Sequence, residues 1–196
     1  MCLQEPLKKI AEFEESFHNM LSEIDNDTVI LFEDESYIRD YQALCATWCI
    51  KGKQRKIKTY GQHKGVGLFG VLDYKRGNII VDFAEQLNAQ AFQSFLETSV
   101  IPAYKGKKII MILDNGKIHH AKILAPFFEL YPELVFMFLP PYAPTINRIE
   151  GLWKWLKHNA IYNRFLKDVN EIRIAVFDFI NSIRLYRNAI RKRLCW

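Results

Sequence analysis

The sequence is poor in cysteine and has no long apolar run. Its four cysteines are Cys2, Cys45, Cys49 and Cys195. They have neither the Cys-x-x-Cys spacing nor the accompanying histidines of a structural zinc site. A few reduced cysteines without such a pattern are typical of a protein in a reducing compartment. No apolar run reaches the roughly 18 residues that cross a bilayer, and residues 1–16 lack the apolar segment of a secretory signal. We expect a soluble, intracellular protein without a membrane partner.

Basic residues only slightly outnumber acidic ones. Lysine and arginine number 27 against 22 acidic residues, which gives a formal net charge of +5. Hydrophobic residues make up 49% and charged residues 25%, an ordinary globular composition that excludes a disordered, collagen-like or coiled-coil chain. The 196 residues are enough to bury one full core. The basic excess is compatible with a nucleic-acid partner.

The hydrophobic periodicity predicts strands and helices in a mixed order. An amphipathic helix over 7–24 precedes a buried strand over 28–32. An antiparallel meander of strands over 44–50, 56–60, 66–72 and 78–83 is predicted next. Helices over 88–100, 121–130, 147–158 and about 168–187 then alternate with strands over 108–113 and 134–139. This order predicts a mixed sheet with helices packed on it.

Two aspartates follow apolar strands, where the functional groups of an α/β sheet gather. Asp114 comes directly after the strand over 108–113 and opens an Asp-Asn-Gly sequence, which also fits a turn with hydrogen bonds inside its own loop. Strand alternation places Asp34 on the opposite face from Glu33 and Glu35, so Asp34 is the better candidate of the three. The alternative is that all three acids lie in a solvated turn.

A third carboxylate, Glu150, lies three residues after Asn147. This spacing fits a capping box that only starts the helix. In the functional interpretation, the helix dipole keeps the Glu150 carboxylate ionised, as a metal ligand must be. Three carboxylates fit Mg²⁺ or Mn²⁺, and two such ions can stabilise both oxygens of a phosphodiester displacement. We therefore predict Asp34, Asp114 and Glu150 as metal ligands and catalytic residues.

Three sequence blocks resemble the catalytic blocks of DDE transposases, in particular the bacterial insertion-sequence branch related to the mariner elements. The blocks are Leu31-Phe32-Glu33-Asp34-Glu35-Ser36, Ile112-Leu113-Asp114-Asn115 with His119, and Leu139-Pro140-Pro141-Tyr142-Ala143-Pro144 running through Asn147 and Glu150 to Trp153 and Lys157. The third block is the most specific, since a proline-rich loop before Asn-x-x-Glu-x-x-Trp is hard to obtain by chance. The resemblance covers about residues 28–160 and departs from the family pattern at Arg148, where proline is usual.

The resemblance implies an RNase H-like α/β fold with a mixed five-stranded sheet flanked by helices. It divides the chain into an N-terminal helix over 1–27, which would link to an absent DNA-binding region, a catalytic domain over 28–160, and a C-terminal helix and basic tail over 161–196 packed on the same domain. The implied enzyme is a polynucleotidyl transferase that cuts DNA at transposon ends and transfers the strand to a target. It would use two Mg²⁺ or Mn²⁺ ions, act as a homodimer on DNA in the bacterial cytoplasm at the nucleoid, and pair with a separately encoded helix-turn-helix subunit.

Basic and polar residues near these blocks are candidate DNA contacts. A predicted basic hairpin carries Lys51, Lys53, Arg55, Lys56, Lys58 and Lys64. These side chains suit phosphate contacts, although a charged sheet edge that prevents strand pairing fits equally well. The other candidates are Asn115, His119, Tyr142, Arg148, Lys154 and Lys157. Asn115 and His119 could orient a phosphate or a metal ligand, and Tyr142 could stack on a base or pack in the loop.

Two further functions are open from the sequence. One is a catalytically inactive, transposase-derived module for DNA binding or dimerisation, and the other is a generic RNase H-like nuclease. Convergence of the three carboxylates around Mn²⁺ would count against the first. Preferential cleavage of RNA/DNA hybrids would favour the second.

Overall fold

A mixed five-stranded sheet forms the centre of the molecule. The computed structural model describes residues 4–39, 44–53, 56–58, 64–141 and 143–195. The strands are β1 (Thr28–Arg39), β2 (Gly65–Asp73), β3 (Ile79–Ala84), β4 (Lys108–Leu113) and β5 (Leu134–Phe138). Their spatial order is β3-β2-β1-β4-β5. The pairs β1–β2 and β2–β3 are antiparallel, and β1–β4 and β4–β5 are parallel. The expected mixed sheet of five strands is therefore confirmed.

Helices cover both faces of this sheet. They are α1 (Gln4–Glu23), α2 (Ala89–Phe95), α3 (Ile101–Ala103), α4 (Ala125–Leu130), α5 (Glu150–Leu156), α6 (Val169–Arg184) and α7 (Arg187–Leu194). A π-helical turn over Leu96–Val100 joins α2 to α3, and another over Lys157–Ile161 extends α5. Within the described ranges, no helix combines the length and the apolar character that a membrane span requires.

Each face of the sheet has its own apolar core, because successive strand residues point to opposite sides. Ile30 and Phe32 of β1 pack with residues of α1, α5, α6 and α7. Val29 and Leu31 pack with residues of α2 and α4. Burying side chains of this size contributes about 1.5 to 3 kcal/mol each. The predicted alternation along β1 is confirmed, and it separates Asp34 from its acidic neighbours.

Two predicted strands of the meander are wrong in the described part of the chain. Residues 44–50 and 56–58 form no strand, whereas residues 59–60 lie outside the described ranges. Strand propensity reflects a fit to a pleated, half-buried surface, and Leu44, Trp48 and Ile50 find no such surface because all three are largely exposed. The basic residues described in 51–53 and 56–58 therefore do not lie between two sheet strands as predicted.

Strand β1 is longer than the predicted 28–32. It continues to Arg39 by pairing with β2, and Asp34 lies opposite Gly70. The suggestion that Glu33, Asp34 and Glu35 form a solvated turn is therefore wrong. On its other side, β1 pairs with β4 as far as Phe32 and Ile112. Asp34 and Asp114 each follow two residues later, so both aspartates lie at the same edge of the sheet.

Candidate active site

The three predicted carboxylates line one cavity of about 360 Å³. Asp34 comes from β1, Asp114 from the loop after β4, and Glu150 from the first turn of α5. The remaining lining residues belong to the Asp114 loop and the proline-rich loop, and they are Asn115, Gly116, Leu139, Pro140, Pro141, Ala143 and Asn147. Three segments that are distant in sequence thus bring their acids to one place.

Asp34 is held by the indole of Trp153. Trp153 Nε1 donates a hydrogen bond to Asp34 Oδ2 at 3.0 Å, across 119 residues of sequence. The buried indole also covers Gly70, and a Cβ added at Gly70 would lie 2.5 Å from Trp153 Cη2. The absence of a side chain at Gly70 therefore allows the indole to lie flat enough against β2 to reach the carboxylate.

Glu150 begins α5 without a capping box. The N-cap residue is Ile149, which supplies no side-chain hydrogen bond. Asn147 Nδ2 instead donates to the backbone oxygen of Glu33 at 2.9 Å. The capping-box alternative is therefore wrong, because the Asn147 amide binds strand β1 rather than its own helix. This bond ties the start of α5, and with it Glu150, to the strand that carries Asp34.

The loop after β4 fixes both Asp114 and the proline-rich loop. Gly116 N donates to Asp114 Oδ1 at 2.7 Å, which confirms the predicted turn. The turn leaves the Asp114 side chain 56% exposed at the cavity. Asn115 Nδ2 donates to the backbone oxygen of Leu139 at 2.7 Å, so Asn115 positions the proline-rich loop.

The carboxylates around the cavity repel one another. Burial raises the pKa of Asp34 to about 8, and the nearby Glu150, Glu35 and Asp114 carboxylates add to this rise. A bound divalent cation relieves such repulsion, and hard cations prefer carboxylate oxygens. Asn147 Oδ1 adds a buried oxygen at the cavity that has no hydrogen-bond partner. The donor set therefore fits Mg²⁺ or Mn²⁺, with Asp34, Asp114 and Glu150 as the residues that would hold it.

A second group of acids lies on the opposite face of β1. His119 Nε2 is 3.6 Å from Glu33 Oε2, 3.6 Å from Glu35 Oε1 and 3.4 Å from Asp114 Oδ1. Burial, reinforced by Glu35, holds the pKa of Glu33 well above its usual range. Burial together with Asp114 raises the pKa of Glu35 to about 7. The His119 ring packs edge-on against Phe92, with ring centroids 4.8 Å apart.

His119 is therefore not a nucleic-acid contact. Its side chain is fully buried, and burial lowers the pKa of the imidazole to about 4, although Asp114 opposes this shift. A buried ring without a proton charge cannot meet a phosphate at the surface. The prediction of a DNA contact at His119 is wrong, and its ring faces carboxylates instead.

The other predicted DNA contacts differ in how exposed their side chains are. Lys51, Lys53, Lys56, Lys58, Lys64 and Lys154 are exposed, whereas Arg148 and Lys157 are half-buried. Arg55 and Tyr142 lie outside the described residues. Lys154 lies on α5, Arg148 and Lys157 lie within two residues of its ends, and Asn115 lines the cavity itself. Their role in binding DNA stays a prediction.

Four residues at the site were not singled out as site residues from the sequence, namely Glu33, Glu35, Asn147 and Trp153. Alternation along β1 already placed Glu33 and Glu35 on a shared face, and that signal could have marked them as a pair. The partners of Asn147 and Trp153 are more than 100 residues away in sequence, so spacing alone could not reveal their roles.

The sequence profile of the DDE superfamily endonucleases matches residues 29–173. The chain belongs to this family. The chain is 24% identical over 168 residues to the insertion element IS630 uncharacterized 39 kDa protein of Shigella sonnei. That alignment covers 86% of the chain and 49% of the relative, so the chain spans about half the length of this curated protein.

Solved structures share the fold of this chain. The Mos1 strand transfer complex matches 99% of the chain and 61% of the Mos1 chain, with a TM-score of 0.72 and 12% sequence identity. The catalytic domain of Mos1 mariner transposase matches 98% of the chain and 89% of that domain, with a TM-score of 0.64 and 12% identity. These matches confirm the expected RNase H-like fold.

Proposed function

We propose that this chain is the catalytic part of a transposase that cuts DNA at transposon ends and transfers the cut strand to a target. The observation that carries the proposal is the meeting of Asp34, Asp114 and Glu150 around one cavity. Membership of the DDE superfamily endonucleases and similarity to an insertion-element protein support it. The fold is also that of a protein solved as a strand transfer complex.

The metal-dependent chemistry requires oxygen ligands at fixed positions. Two Mg²⁺ or Mn²⁺ ions, when bound, stabilise the attacking and leaving oxygens of the phosphodiester. Asp34, Asp114 and Glu150 would hold these ions. Trp153 keeps Asp34 in place by its hydrogen bond, and Asn147 keeps the start of α5 against β1. The site thus rests on hydrogen bonds that join separate elements before any metal or DNA arrives.

Basic side chains would attract DNA to the chain. The exposed lysines Lys51, Lys53, Lys56 and Lys58 are suited to phosphate contacts, which attract DNA without reading its sequence. Lys154 and Lys157 lie one and two helical turns beyond Glu150, so they would hold the backbone near the scissile bond. We propose that recognition of specific ends requires a separate helix-turn-helix region or subunit, and that two copies assemble on DNA.

A nicking assay tests the proposed function. The substrate is a labelled DNA carrying the ends of the element, incubated with and without a candidate helix-turn-helix subunit. We expect Mn²⁺- or Mg²⁺-dependent nicking that disappears with a chelator and in Asp114→Ala. Asp178→Ala, an exposed acid on α6, is the matched control and should retain activity.

Different outcomes separate the proposal from its alternatives. Nicking that survives both chelation and Asp114→Ala would contradict the proposal. Preferential cleavage of RNA/DNA hybrids would assign a generic RNase H-like nuclease. DNA binding without nicking at any divalent ion would assign an inactive DNA-binding module.

A further inference from the structure

Glu33 and His119 are buried polar side chains without hydrogen-bond partners. The Glu33 side chain is fully buried, and neither carboxylate oxygen accepts a hydrogen bond. The His119 side chain is equally buried, and neither ring nitrogen has a hydrogen-bond partner. A buried polar group without a hydrogen-bond partner lowers the stability of the folded protein. Two such groups facing each other require an explanation beyond packing.

The surroundings of Glu33 do not explain these unsatisfied groups. The side chains whose charges act on Glu33 are Glu35, Asp34 and Asp114, and all three are acids. His119 Nε2 lies 3.6 Å from Glu33 Oε2, which is longer than a hydrogen bond. Buried polar groups that lack hydrogen-bond partners indicate a missing water or ion. A cation between the acids and the imidazole would supply a partner for both Glu33 and His119.

The positions of the ligand atoms suit a metal ion. One ligand atom from each of Glu33, Glu35 and His119 lies within 4.8 Å of the other two. The two carboxylate oxygens are each 3.6 Å from His119 Nε2. Bonds of about 2.0 to 2.2 Å to a four-coordinate ion place neighbouring ligand atoms about 3.4 Å apart. The two distances from His119 Nε2 are therefore close to the spacing around an ion, and the oxygens of Glu33 and Glu35 lie within 4.8 Å of each other.

We propose that Glu33, Glu35 and His119 form a second divalent-metal site, on the face of β1 opposite to Asp34. The imidazole ligand favours a transition metal of the Zn²⁺ or Mn²⁺ class over Mg²⁺, which prefers oxygen ligands only. Glu35 is 18% exposed and Asp114 is 56% exposed, so an ion can enter from the edge of the sheet where both lie.

This second site is distinct from the proposed catalytic site but adjoins it through Asp114. Asp114 Oδ1 lies 3.4 Å from His119 Nε2 while the Asp114 side chain also lines the catalytic cavity.

The experiment uses a variant in which the proposed catalytic site is disabled. Asp34→Asn with Glu150→Gln removes two of its three carboxylates and leaves Glu33, Glu35 and His119 intact. Zn²⁺ binding to this double variant is measured by calorimetry and by metal analysis after dialysis. We expect one Zn²⁺ per chain and a Zn²⁺-dependent rise in Tm, because a ligand that binds only the folded state stabilises it.

Further substitutions in the double variant identify the ligands. His119→Ala should weaken Zn²⁺ binding by at least about 10-fold. His120→Ala is the matched control and should leave binding unchanged, since the exposed His120 ring stacks on Phe138 instead. Glu33→Gln keeps the side-chain volume but replaces the carboxyl group, the proposed ligand, with an amide. It should abolish the Zn²⁺-dependent rise in Tm while the metal-free Tm stays equal or increases.

Two results would overturn the second site. One is the absence of Zn²⁺ binding in the folded Asp34→Asn, Glu150→Gln variant. The other is Zn²⁺ binding that persists unchanged in both His119→Ala and Glu33→Gln. Neither result bears on the proposed transposase activity, because that activity is measured as nicking by the chain with Asp34 and Glu150 intact.

Discussion

At the residue scale, Asp34 combines burial, a hydrogen bond from Trp153 and the repulsion of nearby carboxylates. The hydrogen bond favours the ionised carboxylate, whereas burial and the charges of Glu150 and Glu35 favour the protonated form. Burial is the larger influence, so the carboxyl group ionises only near the upper end of the physiological pH range. A metal ion would reverse this balance by compensating the charge.

Replacing Trp153 tests its role in holding Asp34. Trp153→Phe removes the Nε1 donor and part of a buried ring, so we expect the free energy of unfolding to fall by about 2 kcal/mol and nicking to slow. Urea unfolding and the nicking assay measure the two effects. Trp155→Phe, two residues along the same helix, is the control, because the half-buried Trp155 ring packs on Phe179 away from Asp34. Equal losses in both variants would contradict a specific role for Trp153.

The raised pKa values predict how stability depends on pH. The pKa rises from 3.8 to about 8 for Asp34 and from 4.5 to about 7 for Glu35. The folded, metal-free chain therefore retains protons that the unfolded chain releases, and its free energy of unfolding should fall as the pH rises from about 4 to 8. His119 acts in the opposite direction between about pH 4 and 6.5, because burial lowers its pKa.

Urea unfolding in the presence of a chelator at pH 5, 6, 7 and 8 measures this dependence. Asp34→Asn cannot ionise at this position, so its stability should fall less steeply above pH 5 than that of the unmodified chain. An identical slope in both proteins would contradict the raised pKa of Asp34. Mn²⁺ should stabilise the unmodified chain more at pH 8 than at pH 5, because metal ligands must be deprotonated.

At the element scale, the site depends on how α5 packs against β1 and β2. The parallel register of β1 and β4 follows from apolar strands that the sequence pattern predicts, and the acids at their ends could be identified in advance. The position of α5 could not, because Asn147 and Trp153 find their partners on distant strands. The sequence around Asn147 fits a capping box, but its side chain instead donates a hydrogen bond to the backbone oxygen of Glu33.

The predicted strand over 44–50 is wrong for a similar reason. Strand propensity depends on the local sequence and does not show whether a neighbouring strand is available for pairing.

Gly70→Ala tests the close packing of α5 on β2. The new Cβ would lie 2.5 Å from the buried Trp153 ring, so the ring or the helix must move, at a cost of about 1 to 3 kcal/mol. We expect a lower free energy of unfolding and slower nicking because Asp34 loses its donor. Gly151→Ala is the control on α5, because its added Cβ would meet Cδ2 of the buried Leu194 at 2.7 Å rather than the Trp153 ring. A Gly70→Ala variant as stable and active as the Gly151→Ala variant would contradict this packing.

At the scale of the whole molecule, the net charge of +5 is the sum of acidic and basic residues that lie in different parts of the chain. Carboxylates meet at the edge of the sheet on both faces of β1, whereas exposed lysines occupy the segment over 51–58. The chain spans about half of the Shigella relative and 61% of the Mos1 chain. In the proposed function, charge attraction from these lysines would support binding to any DNA, whatever its sequence.

The salt dependence of DNA binding tests the lysine segment. Lys51→Ala with Lys53→Ala should weaken binding to all DNA sequences alike. If both lysines contact phosphates, the slope of log affinity against log salt should become less steep by about 2. Fluorescence anisotropy over a salt series measures this slope. Lys105→Ala with Lys122→Ala, two exposed lysines outside the predicted contact set, is the control. Equal slopes in both double variants would contradict a phosphate-binding role for Lys51 and Lys53.

The position of bound Mn²⁺ tests the central claim most directly. Anomalous diffraction from crystals of the chain soaked in Mn²⁺ locates each ion without reference to activity. We predict a peak within coordination distance of Asp34, Asp114 and Glu150, and its loss in Asp34→Asn with Glu150→Gln. Mn²⁺ bound elsewhere, with the three carboxylates free of metal in a chain that still nicks DNA, would contradict the claim that they form the catalytic metal site.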